Sequence, residues 1–171
     1  MTHMKHSLCS VFLALAVLLG AALPVRAADS AESDAAISKT ANYLLQTVSA
    51  PQVGSIGGEW SVIGLARSGA TVPKSYWNGY YAAVKATLTE TQGVLSNRKY
   101  TEYSRVILAL TAIGADPDCV GGYNLLLPLA DYDKTILQGV NGSIWALIAL
   151  DSGNYAIPAN SNAKTQATRE L

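Results

Sequence analysis

The sequence predicts an all-α protein built from helical hairpin repeats, and three features carry that prediction. Apolar residues recur three and four positions apart, the spacing of a helix face, and no segment alternates as a strand would. One phrase, a polar entry followed by a small-residue-rich apolar helix and a closing glycine, occurs three times: EWSVIGLARSG at 59–69, EYSRVILALTAIGAD at 102–116 and NGSIWALIALDSGNY at 141–155. The closing glycines, Gly69, Gly114 and Gly153, lie 45 and then 39 residues apart, so each period holds one two-helix unit. A lone hairpin cannot bury its apolar face, so repeats of this size imply units stacked on their neighbours.

The elements follow in order. Residues 1–27 have a basic start at Lys5, an apolar run from Val11 to Leu19 and the small-residue site Val25-Arg26-Ala27, the pattern of a cleaved secretory signal peptide. The small polar stretch 28–33 reads as a disordered linker before the domain at 34–171. Asp34 is the expected N-cap of a first helix in which Ile37, Ala41, Leu44, Leu45 and Val48 share a face, with Pro51 as the stop. A glycine-rich loop leads to a helix from Glu59 to Ser68. The next helix starts near Pro73, aligns Tyr80, Val84 and Leu88 with Tyr81 beside them, and ends before Gly93. Another runs from about Thr101 to Ile113, closed by Gly114 and Pro117. The last pair is expected at about 124–138, kinked by Pro128, and at about 143–151, capped by Gly153.

Removal of the leader takes away Lys5 and Arg26 and leaves ten basic against twelve acidic side chains. No basic stripe remains of the kind nucleic-acid binding needs. His3, His6 and Cys9 leave as well, so the processed chain would hold one thiol, Cys119, and no imidazole. Its fold must then rest on apolar burial without a disulfide framework. After cleavage no segment would be stably inserted in a membrane.

Within each unit the second helix is the more uniformly apolar, as in SVIGLA, RVILALTAI and SIWALIAL, and a helix apolar on nearly all sides is buried on nearly all sides. The first helices carry Lys39, Lys85, Glu90 or Lys134 on a wet face. Second helices are therefore expected inside and first helices outside. These repeats, above all GGYNLLLPLADYDKTILQGVNGSIWALIALDSGNYAIP, resemble the prenyltransferase and squalene-oxidase repeat of the terpenoid cyclase and protein prenyltransferase α/α-toroid superfamily, closest to its secreted bacterial members. The resemblance covers roughly residues 34–171. It implies a barrel of about six hairpins, of which this chain would form a partial toroid of three, truncated at its carboxyl end, with NSNAKTQATREL as the start of a fourth outer helix. Three hairpins would leave an open ring with exposed apolar flanks.

The superfamily hosts several chemistries, so fold alone does not choose among them. A protonating cyclase of this kind would need an Asp-x-Asp-Asp cluster. The nearest match, Asp131-Tyr132-Asp133-Lys134, replaces the last carboxylate with a lysine, which favours ionised aspartates over proton donors. The Asp, Cys and His zinc set of the prenyltransferases has only Asp116, Asp118 and Cys119 as counterparts, at the wrong spacing and without a histidine. IGGEW at 56–60 lacks the Cys and Gln of a thioester site. No serine or cysteine nucleophile has an imidazole base, and the glycines near 54–58 are not followed by a phosphate-loop lysine. No catalytic set, metal set or cofactor is assigned.

The candidate site is the aromatic and polar set at the entry of each inner helix: Glu59 and Trp60, Glu102 and Tyr103, Asn141 and Trp145. Inner-helix amino termini of a toroid face one mouth of its cavity, where aromatic faces would receive an apolar or ring-shaped ligand. The expected function is non-catalytic binding of a small molecule or surface partner outside the cytoplasmic membrane. The alternative is an isoprenoid-handling enzyme, cyclase or transferase, whose catalytic residues lie mostly beyond residue 171.

Overall fold

A computed structural model describes residues 30–54 and 57–158. The expected signal peptide at 1–27, the first part of the linker and the expected start of a fourth outer helix lie outside the described residues. The described residues are helical, with no β-strand among them; a lone bridge pairs Val120 with Tyr123. The helices are α1 (Ser30–Thr47), α2 (Glu59–Arg67), α3 (Lys74–Glu90), α4 (Thr101–Ala112), the single turn α5 (Tyr132–Thr135) and α6 (Val140–Ser152). None is long and apolar enough to cross a membrane. The chain divides into two units, Met1–Ala36 and Ile37–Leu171, and the second holds the core.

Helix α1 starts earlier than expected. Ser30 to Ser33 form its first turn instead of a linker, and Asp34 lies inside the helix. Ala31, Ala35 and Ala36 are strong helix formers, and Glu32 in the first turn meets the positive end of the helix dipole. Of its expected apolar face Ala41 is buried, Leu44, Leu45 and Val48 are half-buried and Ile37 is exposed. Helix α3 follows its spacing closely: Tyr76, Tyr80, Val84 and Leu88, four apart, are all buried. Each such fully buried aliphatic side chain contributes about 2 kcal/mol by leaving water.

Helix α4 is the centre of the fold. It packs against α2 on one side and α6 on the other, and buries Tyr103, Val106, Ile107, Ala109 and Leu110. Its uniformly apolar sequence is thereby explained. Helix α6 is as apolar, yet Val140, Ile144 and Ile148, four apart, remain exposed while Ala146, Ala149 and Leu150 face the core. It is not buried on all sides.

The helix expected at 124–138 is absent. In its place come a 3-10 turn at Leu127–Ala130, the single turn α5 and a second 3-10 turn at Ile136–Gln138. Pro128 removes an amide donor, and two side chains offer the backbone local alternatives to a continuous helix. Asn124 Oδ1 accepts from the amides of Leu126 (2.8 Å) and Leu127 (3.3 Å), and Asp131 Oδ1 caps α5 by accepting from the Lys134 amide (3.2 Å). Helix α6 then begins three residues earlier than expected, directly after Gly139.

The closing glycines divide. Gly114 is left-handed (φ 76°), and the Ala115 amide donates back to the Leu110 carbonyl (2.9 Å), closing α4 as a Schellman motif does. In the third copy the same bond runs from the Tyr155 amide to the Leu150 carbonyl (2.8 Å), but the left-handed residue is Asn154 (φ 53°). Gly153 has φ −121° and is needed for another reason: a β-carbon there would strike the Tyr155 ring.

Candidate functional site

The first turns of α2, α4 and α6 meet. Their side chains line an open cavity of about 250 Å³ formed by Trp60, Thr101, Arg105, Gln138, Asn141 and Trp145. Trp60 and Trp145, from the first and third copies of the repeated phrase, approach edge to face with ring centroids 5.5 Å apart and planes at 65°. Three of the six residues nominated from sequence, Trp60, Asn141 and Trp145, therefore come together.

Glu59 sits beneath this cavity without lining it. It is fully buried at the start of α2, where its Oε1 accepts from the Gly54 amide (2.8 Å) and its Oε2 lies 3.6 Å from Arg105 Nε. The carboxylate thus orients the guanidinium that forms part of the cavity wall, which makes Glu59 a positioning residue. The Tyr80 hydroxyl of α3 lies beside the same carboxylate without meeting hydrogen-bond geometry, so the pair acts as an electrostatic contact. Burial first, and the Glu59 charge second, push the Tyr80 pKa well above its ordinary value, against the smaller opposing effect of Arg105. A raised folded-state pKa is a stabilising contribution present below the unfolded value near 10 and lost as pH rises above it.

Tyr103 and Glu102 do not join the set. Tyr103 is buried on another side of α4, its ring 5.2 Å from that of Tyr100 and its hydroxyl accepting from the Leu95 amide (3.0 Å). Glu102 is half-buried near Gly54 and lines neither this cavity nor the groove beside Tyr103. The reason is helical geometry. Asn141 and Trp145 are four apart and share a face, and the matching pair on α4 is Thr101 with Arg105. That spacing, with Arg105 as the only cationic residue of α4, is the signal in the sequence that identifies the pair.

Gln138, also unforeseen, closes the wall from the connecting segment. Its Oε1 accepts from the Thr101 amide (3.0 Å), satisfying one orphan donor at the start of α4 and leaving its NH2 to bond elsewhere. The lining therefore combines the Arg105 guanidinium and the Gln138 amide as donors with two aromatic rings.

The remaining sequence motifs have structural occupations. Asp131 caps α5 and lies 3.6 Å from Lys134 Nζ, an ion pair and not a proton donor held among apolar neighbours. The Lys134 pKa is raised, first by the neighbouring Tyr100 and then by Asp131. Asp116 Oδ1 accepts from the Asp118 amide (3.0 Å) in a turn, beside the exposed Cys119. Among the described residues no three His, Cys, Asp or Glu side chains gather as a metal set.

Comparison with known proteins finds no family model, no curated protein and no solved structure that matches this chain.

Proposed function

We propose that this chain is an α/α-toroid-like hairpin-repeat module, exported by its amino-terminal signal, that binds a small flat ligand without transforming it in the cavity between Trp60 and Trp145. The single observation that carries the reading is the meeting of those two indoles over the Glu59-oriented Arg105. Repeated helices that merely filled space would have no need to present two half-exposed indoles and a guanidinium in one cavity.

The toroid reading is supported by the side-by-side order of α2, α4 and α6, the second helices of successive units, with their first turns at one end. The exposed stripe of Val140, Ile144 and Ile148 on α6 is where a following unit would pack. The Arg105 and Gln138 donors favour a ligand with an acceptor or anionic group at one edge of an aromatic body.

Anilinonaphthalene sulfonate is a suitable probe, since it joins flat rings to an anionic edge. The full chain is expected to bind it with energy transfer from tryptophan. Trp60→Ala and Trp145→Ala should each weaken binding about tenfold, roughly 1.4 kcal/mol, with the helical circular dichroism intact. Ile144→Lys, on the outer face of α6, should leave it unchanged. Binding that survives both tryptophan substitutions, or that disappears with Ile144→Lys, would refute the assignment.

A further inference from the structure

Helix α6 turns large apolar side chains outward as well as inward. Val140, Ile144 and Ile148 are 71%, 45% and 43% exposed, whereas Ala146, Ala149 and Leu150 on the opposite face are buried. At about 100° per residue the three outward side chains, and Asp151 with them, fall in one stripe about a quarter-turn wide. We propose that this stripe is the interface of a homodimer, in which the α6 helices of two copies pack antiparallel about a twofold axis at Ile144. The inference rests on α6 alone and not on a ligand in the indole cavity.

The spacing is self-complementary. Val140 and Ile148 lie four residues either side of Ile144, so a twofold axis there sets Ile144 against its copy and Val140 of each chain against Ile148 of the other. Every apolar side chain of the stripe then meets an apolar one.

Charge fixes the direction. Asp151 is the only charged residue of α6, and it stands in the last turn, beside the negative end of its own helix dipole. The start of the helix has the reverse defect, because its N-cap is Gly139, no side chain caps it and no acidic residue lies in the first turn. Asp151 comes seven residues after Ile144, and seven residues before Ile144 is Leu137, in the turn that leads into α6. Antiparallel copies therefore bring each Asp151 to the uncapped positive end of the other helix. A parallel pair would set the two aspartates side by side, where they repel.

The same charges disfavour a membrane surface as the occupant. A helix lying on lipid borders its apolar face with Lys or Arg, and α6 has neither. Three large side chains per copy make a small interface, so association in the micromolar range is expected.

Sedimentation velocity of the full chain between about 1 and 300 µM should show monomer giving way to dimer. Ile144→Lys puts two like charges on the axis, at an exposed position that spares the core, and should raise the dissociation constant at least about a hundredfold. Asp151→Lys suits the dipole of its own helix and opposes that of the other, so it should raise the constant about tenfold, and less at high ionic strength. In a Cys9→Ser, Cys119→Ser background, Ile144→Cys should cross-link to itself on oxidation, whereas Val140→Cys should cross-link to Ile148→Cys in mixtures more readily than to itself. A chain that stays monomeric across this range overturns the proposal and leaves the stripe to another occupant. Dimers that persist in Ile144→Lys, or Val140→Cys chains that prefer one another, overturn it equally.

Discussion

Gly142→Ala should destabilise the fold by about 3 kcal/mol. Gly142 is buried in the first turn of α6, and a β-carbon there would collide with the carbonyl oxygen of Thr135. Backbone cannot rotate aside as a side chain does, and Thr135 is itself buried and tied through its hydroxyl to the Tyr132 carbonyl (2.8 Å). Helix α6 would have to shift bodily, carrying Asn141 and Trp145 away from Trp60. Urea denaturation should show a lower midpoint at unchanged slope, accompanied by weaker probe binding in the indole cavity. Gly64→Ala, at a helical position where a β-carbon meets nothing, is the control and should be neutral or slightly stabilising. Wild-type stability in Gly142→Ala would show that α6 does not lie this close to the α5 segment.

Glu59→Ala should cost about 3 kcal/mol, near the lower end for a broken buried ion pair. The carboxylate is fully buried and Arg105 is about one-fifth exposed, so the abandoned guanidinium retains some water. The Gly54 amide loses its acceptor in the same substitution. Glu59→Gln keeps an acceptor for that amide while removing the charge, and should cost roughly half as much. Paired urea titrations of the two variants measure the difference. Equal and negligible effects, within about 0.5 kcal/mol of wild type, would mean that Glu59 is not buried against Arg105.

Helices with a strict spacing were legible in the sequence. Tyr80, Val84 and Leu88 in α3 name a face that is buried as expected, and α4, apolar all round, lies between two neighbours. Position-specific chemistry was harder to read. Pro128 warned of a kink at 124–138, but the caps from Asn124 and Asp131 dismantle the helix, and side-chain capping competes with helix formation in a way that apolar periodicity does not register. Gly153 completes the written repeat, yet Asn154 makes the left-handed turn, because the Tyr155 ring occupies the space a side chain at 153 would need.

The candidate site was half legible for the same reason. Aligning the three phrases by their opening letters paired Glu102 and Tyr103 with Asn141 and Trp145. Alignment by helical face pairs Thr101 and Arg105 with them, and the cavity follows the face. Gln138 was beyond reach, since its contact with Thr101 spans 37 residues and depends on the path of a connecting segment that is not a continuous helix.

The central claim is that the first and third copies of the repeated phrase stand close enough for Trp60 and Trp145 to share one cavity. A double-mutant cycle of Trp60→Leu and Trp145→Leu, read by urea denaturation without any ligand, tests it most directly. The edge-to-face contact predicts a coupling of about 0.5–1.5 kcal/mol between the two positions. Strict additivity, with both single variants folded, would contradict the juxtaposition of α2 and α6 on which the site depends.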